Sequence, residues 1–176
     1  MLLGFAIVVA AALAVILAIA ATKPATFRIE RTASIAAPPE RIFPLVKDFR
    51  GWRAWSPYEK LDPEMKRTFS GATCGKGAAY AWDGNSKAGA GRMEITDAAA
   101  PSKVVIRLDF DRPFKAHNVA EFSIEPRPDG SRVTWTMTGP NLFMGKVMSV
   151  FMNMDTLIGK DFEAGLANLK AIAEKT

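Results

Sequence analysis

The sequence predicts an α+β fold in which a curved, seven-stranded antiparallel sheet wraps around a long C-terminal helix, with one transmembrane helix in front. Three observations carry this prediction. The chain begins with an apolar run, its middle alternates apolar and polar side chains between Gly, Pro and Asp, and its end changes to a helical period. We therefore expect a transmembrane anchor over residues 1–22, a linker over 23–26 and one globular domain over 27–176.

Composition separates the first part of the chain from the rest. The 176 residues are 49% hydrophobic and 23% charged, but residues 2–21 contain no charged or polar side chain. Without that run the hydrophobic share falls to roughly 43%, an ordinary value for a soluble domain. The net charge of +5 is spread along the domain without a Lys/Arg block. Composition therefore gives no support to nucleic-acid binding.

The apolar run has the length of one membrane crossing, because about 20 helical residues span roughly 30 Å. A signal peptide is the rival interpretation, since Ala18-Ile19-Ala20 has the small-x-small form of a cleavage site. The usual basic segment in front is absent and the run is longer than usual, which favours the anchor. Lys23, Arg28 and Arg31 follow the run and favour a cytoplasmic domain, but the N-terminus is too short to decide the side of the membrane.

The domain begins with a strand and a short helix. Residues 27–35 alternate apolar and polar side chains, which predicts the first strand. Ala-Pro-Pro-Glu at 37–40 then opens a helix, since proline is tolerated in a first turn. That helix should end near residues 48–51, and its apolar face consists of Ile42, Phe43, Leu45 and Val46.

Six further strands are expected before about residue 138. The clearest cover 93–96, 104–110, 119–124 and 132–137. In the second of these, Leu108 and Phe110 take one face while Arg107 and Asp109 take the other. One face of the sheet is therefore apolar and the other solvated, as an antiparallel sheet permits.

The end of the chain predicts one helix from residue 143 to about 174, long enough to cross a whole sheet. Its apolar stripe consists of Val147, Met148, Phe151, Met154, Ile158, Phe162, Leu166, Leu169 and Ile172. Gly145, Gly159 and Gly165 weaken this helix locally and allow a bend.

Several segments of this domain resemble a known family. They are Ala-Pro-Pro-Glu at 37–40, Trp-Arg-Ala-Trp-Ser-Pro at 52–57, the Tyr-Ala-Trp strand at 80–82 and the closing helix at 162–170. Together they resemble the START-like, helix-grip superfamily (SRPBCC), in particular its polyketide cyclase/dehydrase branch, over about residues 26–174. The resemblance implies a cavity between sheet and long helix that takes an apolar or aromatic molecule. It implies no single activity, since members range from lipid carriers and hormone receptors to cyclases and co-chaperones.

Large apolar side chains on the expected inner surfaces are the candidates for lining that cavity. Trp52 and Trp55 are three residues apart and would close one end, and flexible methionines suit ligands of varied shape. The full candidate set is Trp52, Trp55, Tyr80, Trp82, Phe110, Phe122, Trp135, Met144, Met148 and Phe151. For each of them the alternative is plain packing in the core.

Residues that carry chemistry are few. His117 is the only histidine and lies on the strand parity of the solvated face, and Cys74 is the only cysteine, which excludes an intrachain disulfide. The sequence has no metal-ligand spacing and no nucleophile elbow. We therefore expect no metal and no cofactor.

These observations predict a membrane-anchored protein that holds a small hydrophobic or lipid-like molecule, with residues 2–21 as its contact with the membrane. The first alternative is a cyclase- or dehydratase-type enzyme, for which Tyr80 and Asp155 are the candidate proton-moving groups. The second is a protein-interaction module like the co-chaperones. A cavity of several hundred cubic ångströms would favour binding or catalysis, and a filled interior would favour the interaction module.

Overall fold

One curved sheet of seven antiparallel strands forms the body of the protein. The computed structural model describes residues 2–175, without the side chains of Leu2, Leu3, Ala6 and Met144. The strands are β1 (Thr26–Ile35), β2 (Lys66–Gly71), β3 (Ala78–Asp83), β4 (Ala90–Ala99), β5 (Lys103–Arg112), β6 (Ala116–Arg127) and β7 (Gly130–Pro140). Across the sheet their order is β1-β7-β6-β5-β4-β3-β2. The predicted α+β class with a seven-stranded antiparallel sheet is confirmed.

Helices occupy both ends of the chain and the connection between β1 and β2. The α-helices are α1 (Leu2–Thr22), α2 (Pro39–Lys47), α3 (Phe143–Phe151) and α4 (Met154–Ala173), and two short 3-10 helices cover Phe49–Ala54 and Pro57–Lys60. Proline at the first position of α2 matches the predicted helix start. The helix ends before Asp48, whose carboxylate accepts a 2.9 Å hydrogen bond from the backbone N–H of Arg50. That bond starts the 3-10 helix that follows.

The C-terminal helix is interrupted, whereas the sequence predicts one helix from 143 to about 174. The helix breaks at Met152 and Asn153, which have extended backbone conformations. The side chain of Asn153 accepts a hydrogen bond of 3.1 Å from the backbone N–H of Thr156 and caps the start of α4. The apolar stripe could not reveal this break, because it continues with the same period on both sides of it.

Strand register places the apolar residues of the middle strands on one concave face. Met93 of β4 lies opposite Tyr80 of β3 and Leu108 of β5, and Ala120 of β6 lies opposite Ile106 of β5 and Met137 of β7. The C-terminal half of α4 is packed into the core through Phe162, Leu166 and Leu169. The N-terminal half of α4 lies over the space that forms the candidate site.

Helix α1 lies against α3 but keeps most of its apolar surface exposed. Phe5 is 72% exposed and Val8 67%, and Ala20 is a buried residue near its end. Within the residues that the structure describes, no helix is both long and apolar enough to cross a membrane. The predicted transmembrane anchor over residues 1–22 is therefore not supported, although these residues do form a helix.

Candidate functional site

A cavity of about 1050 Å³ lies between the concave face of the sheet, the N-terminal half of α4 and α3. Its sheet wall includes Tyr80, Met93, Leu108, Ala120 and Met137, and its helical wall includes Met148, Leu157, Ile158 and Phe162. The volume lies just above the usual range of small-molecule sites, about 300–1,000 Å³. The interior between the sheet and α4 is therefore not filled by the chain itself.

One end of the cavity is closed by a cluster of aromatic rings. The indole of Trp135 lies parallel to the ring of Phe162, with 4.0 Å between ring centroids, and stacks on Phe122 from the other side at 4.8 Å. Trp55 meets Phe122 edge to face at 5.8 Å. The indole N–H of Trp52 donates a 2.9 Å hydrogen bond to the carbonyl oxygen of Val46, which fixes its ring. These rings form a rigid floor under the ligand space.

A second part of the wall depends on a glycine. The indole of Trp82 covers Gly91 on the neighbouring strand, where a Cβ would lie only 2.6 Å from Cη2 of Trp82. The indole N–H donates a 3.0 Å hydrogen bond to the carbonyl oxygen of Ala88, and Phe110 packs against the ring edge to face at 5.6 Å. Gly91 therefore lets the Trp82 ring lie flat on the sheet and face the cavity.

The structure brings together most of the cavity residues that the sequence predicts. Those at the cavity wall are Trp52, Tyr80, Trp82, Phe110, Trp135, Met148 and Phe151. Trp55 and Phe122 are fully buried behind that wall, in the ring cluster. The side chain of Met144 lies outside the described residues. Ligand contact by any of them stays a prediction.

A buried polar group that the sequence does not predict lies beside Tyr80. Glu59, in the second 3-10 helix, is only 8% exposed. Its carboxylate accepts hydrogen bonds of 2.7 Å from the hydroxyl of Tyr80 and 2.8 Å from Nε of Arg67. Burial and the bond to Glu59 raise the pKa of Tyr80 above its usual value. The Tyr80 hydroxyl therefore stays protonated and points its proton at Glu59.

Asp161 is an ionisable group on the helical wall. It lines the cavity on α4, and its carboxyl group has no hydrogen-bond or ion-pair partner among the described residues. Burial raises the pKa of this carboxyl group above its usual value. Burial also raises the pKa of Tyr58, another wall residue, and the nearby negative charge of Asp161 adds to that rise. The helical wall is thus polar at this point.

Asp155, the other residue that the sequence offers for proton transfer, is held in an ion pair with an arginine. Its carboxylate forms an ion pair of 3.0 Å with Arg31 at the rim of the cavity, and Arg31 also pairs with Glu163 at 2.7 Å. The hydrogen bond from Arg31 holds the pKa of Asp155 below its usual value. The guanidinium lies so close to Gly159 of α4 that a side chain there would displace it. Asp155 therefore fastens α4 to β1.

Asn118 is a polar residue on the otherwise apolar sheet wall. It lies opposite Leu108 in the β5–β6 register and is 7% exposed. The sequence contains the signal for this position, because Asn118 shares strand parity with Ala120, Phe122 and Ile124. His117, its neighbour, is exposed on the outer face as expected.

The opening of the cavity combines exposed apolar and basic side chains. Phe114, Leu142, Phe151 and Lys115 are exposed there, and Lys23 is half-buried beside them. The described residues contain no group of three or more His, Cys, Asp or Glu placed to hold a metal ion. The cavity therefore has a mostly apolar lining, with polar groups at Glu59–Tyr80, Asp161 and Asn118.

Comparison with known proteins agrees with this geometry. The family described as polyketide cyclase/dehydrase and lipid transport matches residues 26–174. A comparison with curated proteins finds no match.

Solved structures share the fold at low sequence identity. A Thermobifida fusca protein is 22% identical with a TM-score of 0.63, and the alignment covers 84% of this chain and 93% of that one. A Rhizobium leguminosarum protein is 11% identical with a TM-score of 0.60, over 86% and 96% of the two chains. A Staphylococcus aureus protein of unknown function is 10% identical with a TM-score of 0.61, over 85% and 94%. At these identities the likeness concerns the fold alone.

Proposed function

The chain belongs to the polyketide cyclase/dehydrase and lipid transport family, and we propose that it binds one small hydrophobic or lipid-like molecule in the cavity between sheet and α4. The observation that carries this proposal is the cavity of about 1050 Å³ under α4. Uptake of an apolar molecule into a cavity of that size with an apolar wall is favourable, because the apolar surface of the molecule is removed from water. The second alternative from the sequence, a protein-interaction module, would need no such space.

The wall suits ligands that vary in shape. Met93 and Met137 line it from the sheet and Met148 from α3. Methionine side chains are unbranched and polarizable, so they adjust to different apolar surfaces at small cost. The aromatic floor formed by Trp135 and its neighbours is rigid by contrast. We therefore expect several molecules of one chemical class to be able to bind, one at a time.

The test is a search for bound molecules followed by displacement. The full chain is purified in a mild detergent, its bound lipids are extracted and identified by mass spectrometry, and the stripped protein is titrated with an environment-sensitive fluorophore such as 1-aminoanthracene. We expect a co-purifying apolar molecule that displaces the fluorophore at one site per chain. Absence of both a bound molecule and saturable fluorophore binding would overturn the proposal.

A cyclase- or dehydratase-type activity is the second candidate, and the Tyr80–Glu59 pair favours it. Both residues line the cavity, so a bound polyketide-like substrate would lie within reach of an acid and a carboxylate. Tyr80→Phe separates the two functions, because it removes the hydroxyl and keeps the ring. Unchanged binding with loss of turnover would favour the enzyme, and unchanged turnover would exclude Tyr80 from the chemistry.

Attachment to a membrane through residues 2–21 is the last part of the proposal. Helix α1 leaves many apolar side chains exposed, among them Phe5, Ile7, Val8, Leu13 and Val15. Such a surface is unfavourable in water and favours contact with lipid. The hydrogen bond of 3.1 Å from the side chain of Asn141 to the carbonyl oxygen of Pro24 ties the end of this region to the chain before α3. The attachment would therefore bring the cavity opening close to the lipid.

A further inference from the structure

The amide of Asn118 is a polar feature that the apolar sheet wall of the cavity does not explain. By register its inner-face neighbours are Leu108 on β5 and Ala116 and Ala120 on β6, and Asn118 itself is 7% exposed. A buried amide in such surroundings is unfavourable unless its oxygen and nitrogen form hydrogen bonds. An aliphatic side chain would fit the wall better.

No group of the described residues forms that hydrogen bond with the oxygen. Oδ1 of Asn118 is buried and has no partner, and the contact of Nδ2 is a weak one to Sδ of Met137 at 4.0 Å. If the oxygen and nitrogen of the amide are exchanged, the oxygen lies beside that sulfur, and a thioether has no hydrogen to donate. The amide oxygen is therefore unsatisfied within the described chain in either orientation.

The neighbouring strand leaves room for this amide. In β7, Gly139 lies beside it, and a Cβ at that position would lie 2.9 Å from Cγ of Asn118 and closer still to Oδ1. The same Cβ would also lie 3.1 Å from Cε1 of Phe27 on β1, so that aromatic ring borders the same space. A side chain at residue 139 would displace the amide, so the glycine preserves its position at the cavity wall.

We propose that Asn118 recognises a hydroxyl group, or a group of the same donor-and-acceptor character, on the otherwise apolar ligand. The inference rests on the proposed function, since it names the ligand class of that cavity. An amide offers an acceptor and a donor side by side, and a hydroxyl can donate to Oδ1 while it accepts from Nδ2. A neutral partner matches a neutral amide among aliphatic neighbours. The ligand class is thus a long-chain or polycyclic alcohol, and a plain hydrocarbon lacks the matching group.

Two isomers test this inference directly. Decan-1-ol and methyl nonyl ether contain the same atoms, but only the alcohol donates a hydrogen bond. Each is titrated against 1-aminoanthracene bound to the full-length protein, and the ratio of their dissociation constants is compared between wild type and Asn118→Leu. We expect the wild type to prefer the alcohol by about 5- to 10-fold, the value of one hydrogen bond. In Asn118→Leu the ratio should fall to about one, with the ether bound at least as tightly as before.

The outcomes separate this inference from the function on which it rests. Equal ratios in wild type and variant, with both isomers bound, would overturn the role of Asn118 and leave the binding function standing. A wild-type ratio near one would mean that water alone satisfies the amide, which also overturns it. Absence of binding by either isomer and by the fluorophore would contradict the proposed function itself.

Two further variants keep the test decisive. Asn118→Ala removes the amide without adding bulk and replaces the leucine variant if that one does not fold. Val119→Leu lies on the outer face of the same strand, where the side chain is exposed, and should keep the wild-type ratio. Thermal unfolding of each variant confirms that it is folded at the temperature of the titration.

Discussion

The hydroxyl of Tyr80 donates a 2.7 Å hydrogen bond to Oε1 of Glu59. The other carboxylate oxygen of Glu59 accepts from Nε of Arg67 at 2.8 Å. These bonds join the second 3-10 helix to β3 and β2 and hold the cavity wall at that corner. Because Glu59 and Arg67 are both largely buried, removing one partner leaves the other without compensation.

Glu59→Gln is therefore expected to lower the free energy of unfolding by about 3 kcal/mol, the lower end of the cost of breaking a buried ion pair. Tyr80→Phe leaves that pair intact and should cost about 1.5 kcal/mol, the lower end for a hydrogen bond to a charged group. Urea denaturation followed by circular dichroism measures both. Glu125→Gln, which breaks the exposed pair with Arg127, is the matched control and should cost under about 1 kcal/mol. Equal losses at Glu59 and Glu125 would contradict the buried pair.

Gly165→Ala should destabilise the protein although alanine is the better helix former. A Cβ at this position in α4 would lie 2.7 Å from Cζ3 of Trp135 and 3.1 Å from Cδ of Pro57. Trp135 is held between Phe122 and Phe162 and cannot move away. We expect a loss of about 1–3 kcal/mol, the usual cost of overpacking.

Gly51→Ala is the matched control for Gly165, because a Cβ there meets nothing within 4 Å. Its effect should stay within about 0.5 kcal/mol in the same denaturation experiment. A Gly165→Ala protein as stable as wild type would show that the ring cluster yields.

Ala120→Phe should weaken ligand binding while the fold persists. Ala120 is a small residue of the sheet wall, and a phenyl ring there would occupy part of the ligand space. We expect the affinity for 1-aminoanthracene to fall roughly tenfold or more, equivalent to about 1.4 kcal/mol. Val119→Phe places the same ring on the outer face of β6 and should leave binding unchanged. Equal binding by the two variants would move the ligand out of this cavity.

The stability of the protein should depend on pH with opposite signs at two aspartates. The raised pKa of Asp161 means that its charged form is disfavoured in the folded state, so stability falls as the pH rises through and above the usual value of 3.8. Asp161→Asn should therefore raise the melting temperature at pH 7, and the gain should vanish near pH 3.5.

Asp155 should behave in the reverse way. Its pKa is lowered by Arg31, so its contribution is present above the usual value of 3.8 and is lost as the pH falls through the lower folded-state value. Asp155→Asn should lower the melting temperature slightly at pH 7. The loss in the free energy of unfolding should be under about 1 kcal/mol, because the ion pair is partly exposed. Melting curves from pH 3.5 to 7 test both signs, and a shared sign would contradict the assignment.

Helix α1 should govern attachment to lipid. In flotation with phosphatidylcholine/phosphatidylglycerol vesicles, the full-length protein is expected to float, and Leu13→Lys/Leu17→Lys should reduce the floated fraction several-fold because charges are costly in an apolar phase. Val119→Lys, an exposed apolar position on β6, is the control and should float like wild type. Equal flotation of all three would exclude α1 as the site of attachment.

Local periodicity was sufficient to predict the number of strands, the faces of the clearest ones and the start of α2. Alternation fixes which side chains share a face. The parity of Asn118 with Ala120 and Phe122 is the signal for an inward amide, although that amide was not among the residues predicted from the sequence. The break at Met152 and Asn153 was beyond this reasoning, because a cap interrupts the backbone without interrupting the apolar stripe. The burial of Glu59 was missed since its partner Tyr80 is 21 residues away in the chain.

The sequence by itself determined that this chain has an apolar sheet face and an apolar helix stripe, because both follow from the spacing of neighbouring residues. Only the tertiary structure decided that the two surfaces separate over the N-terminal half of α4 and meet over its C-terminal half. That separation depends on how closely distant elements pack: Trp135 on Phe162 at one end, and Arg31 holding α4 to β1 at the other. Local sequence sets which surfaces are apolar, and long-range packing sets the distance between them.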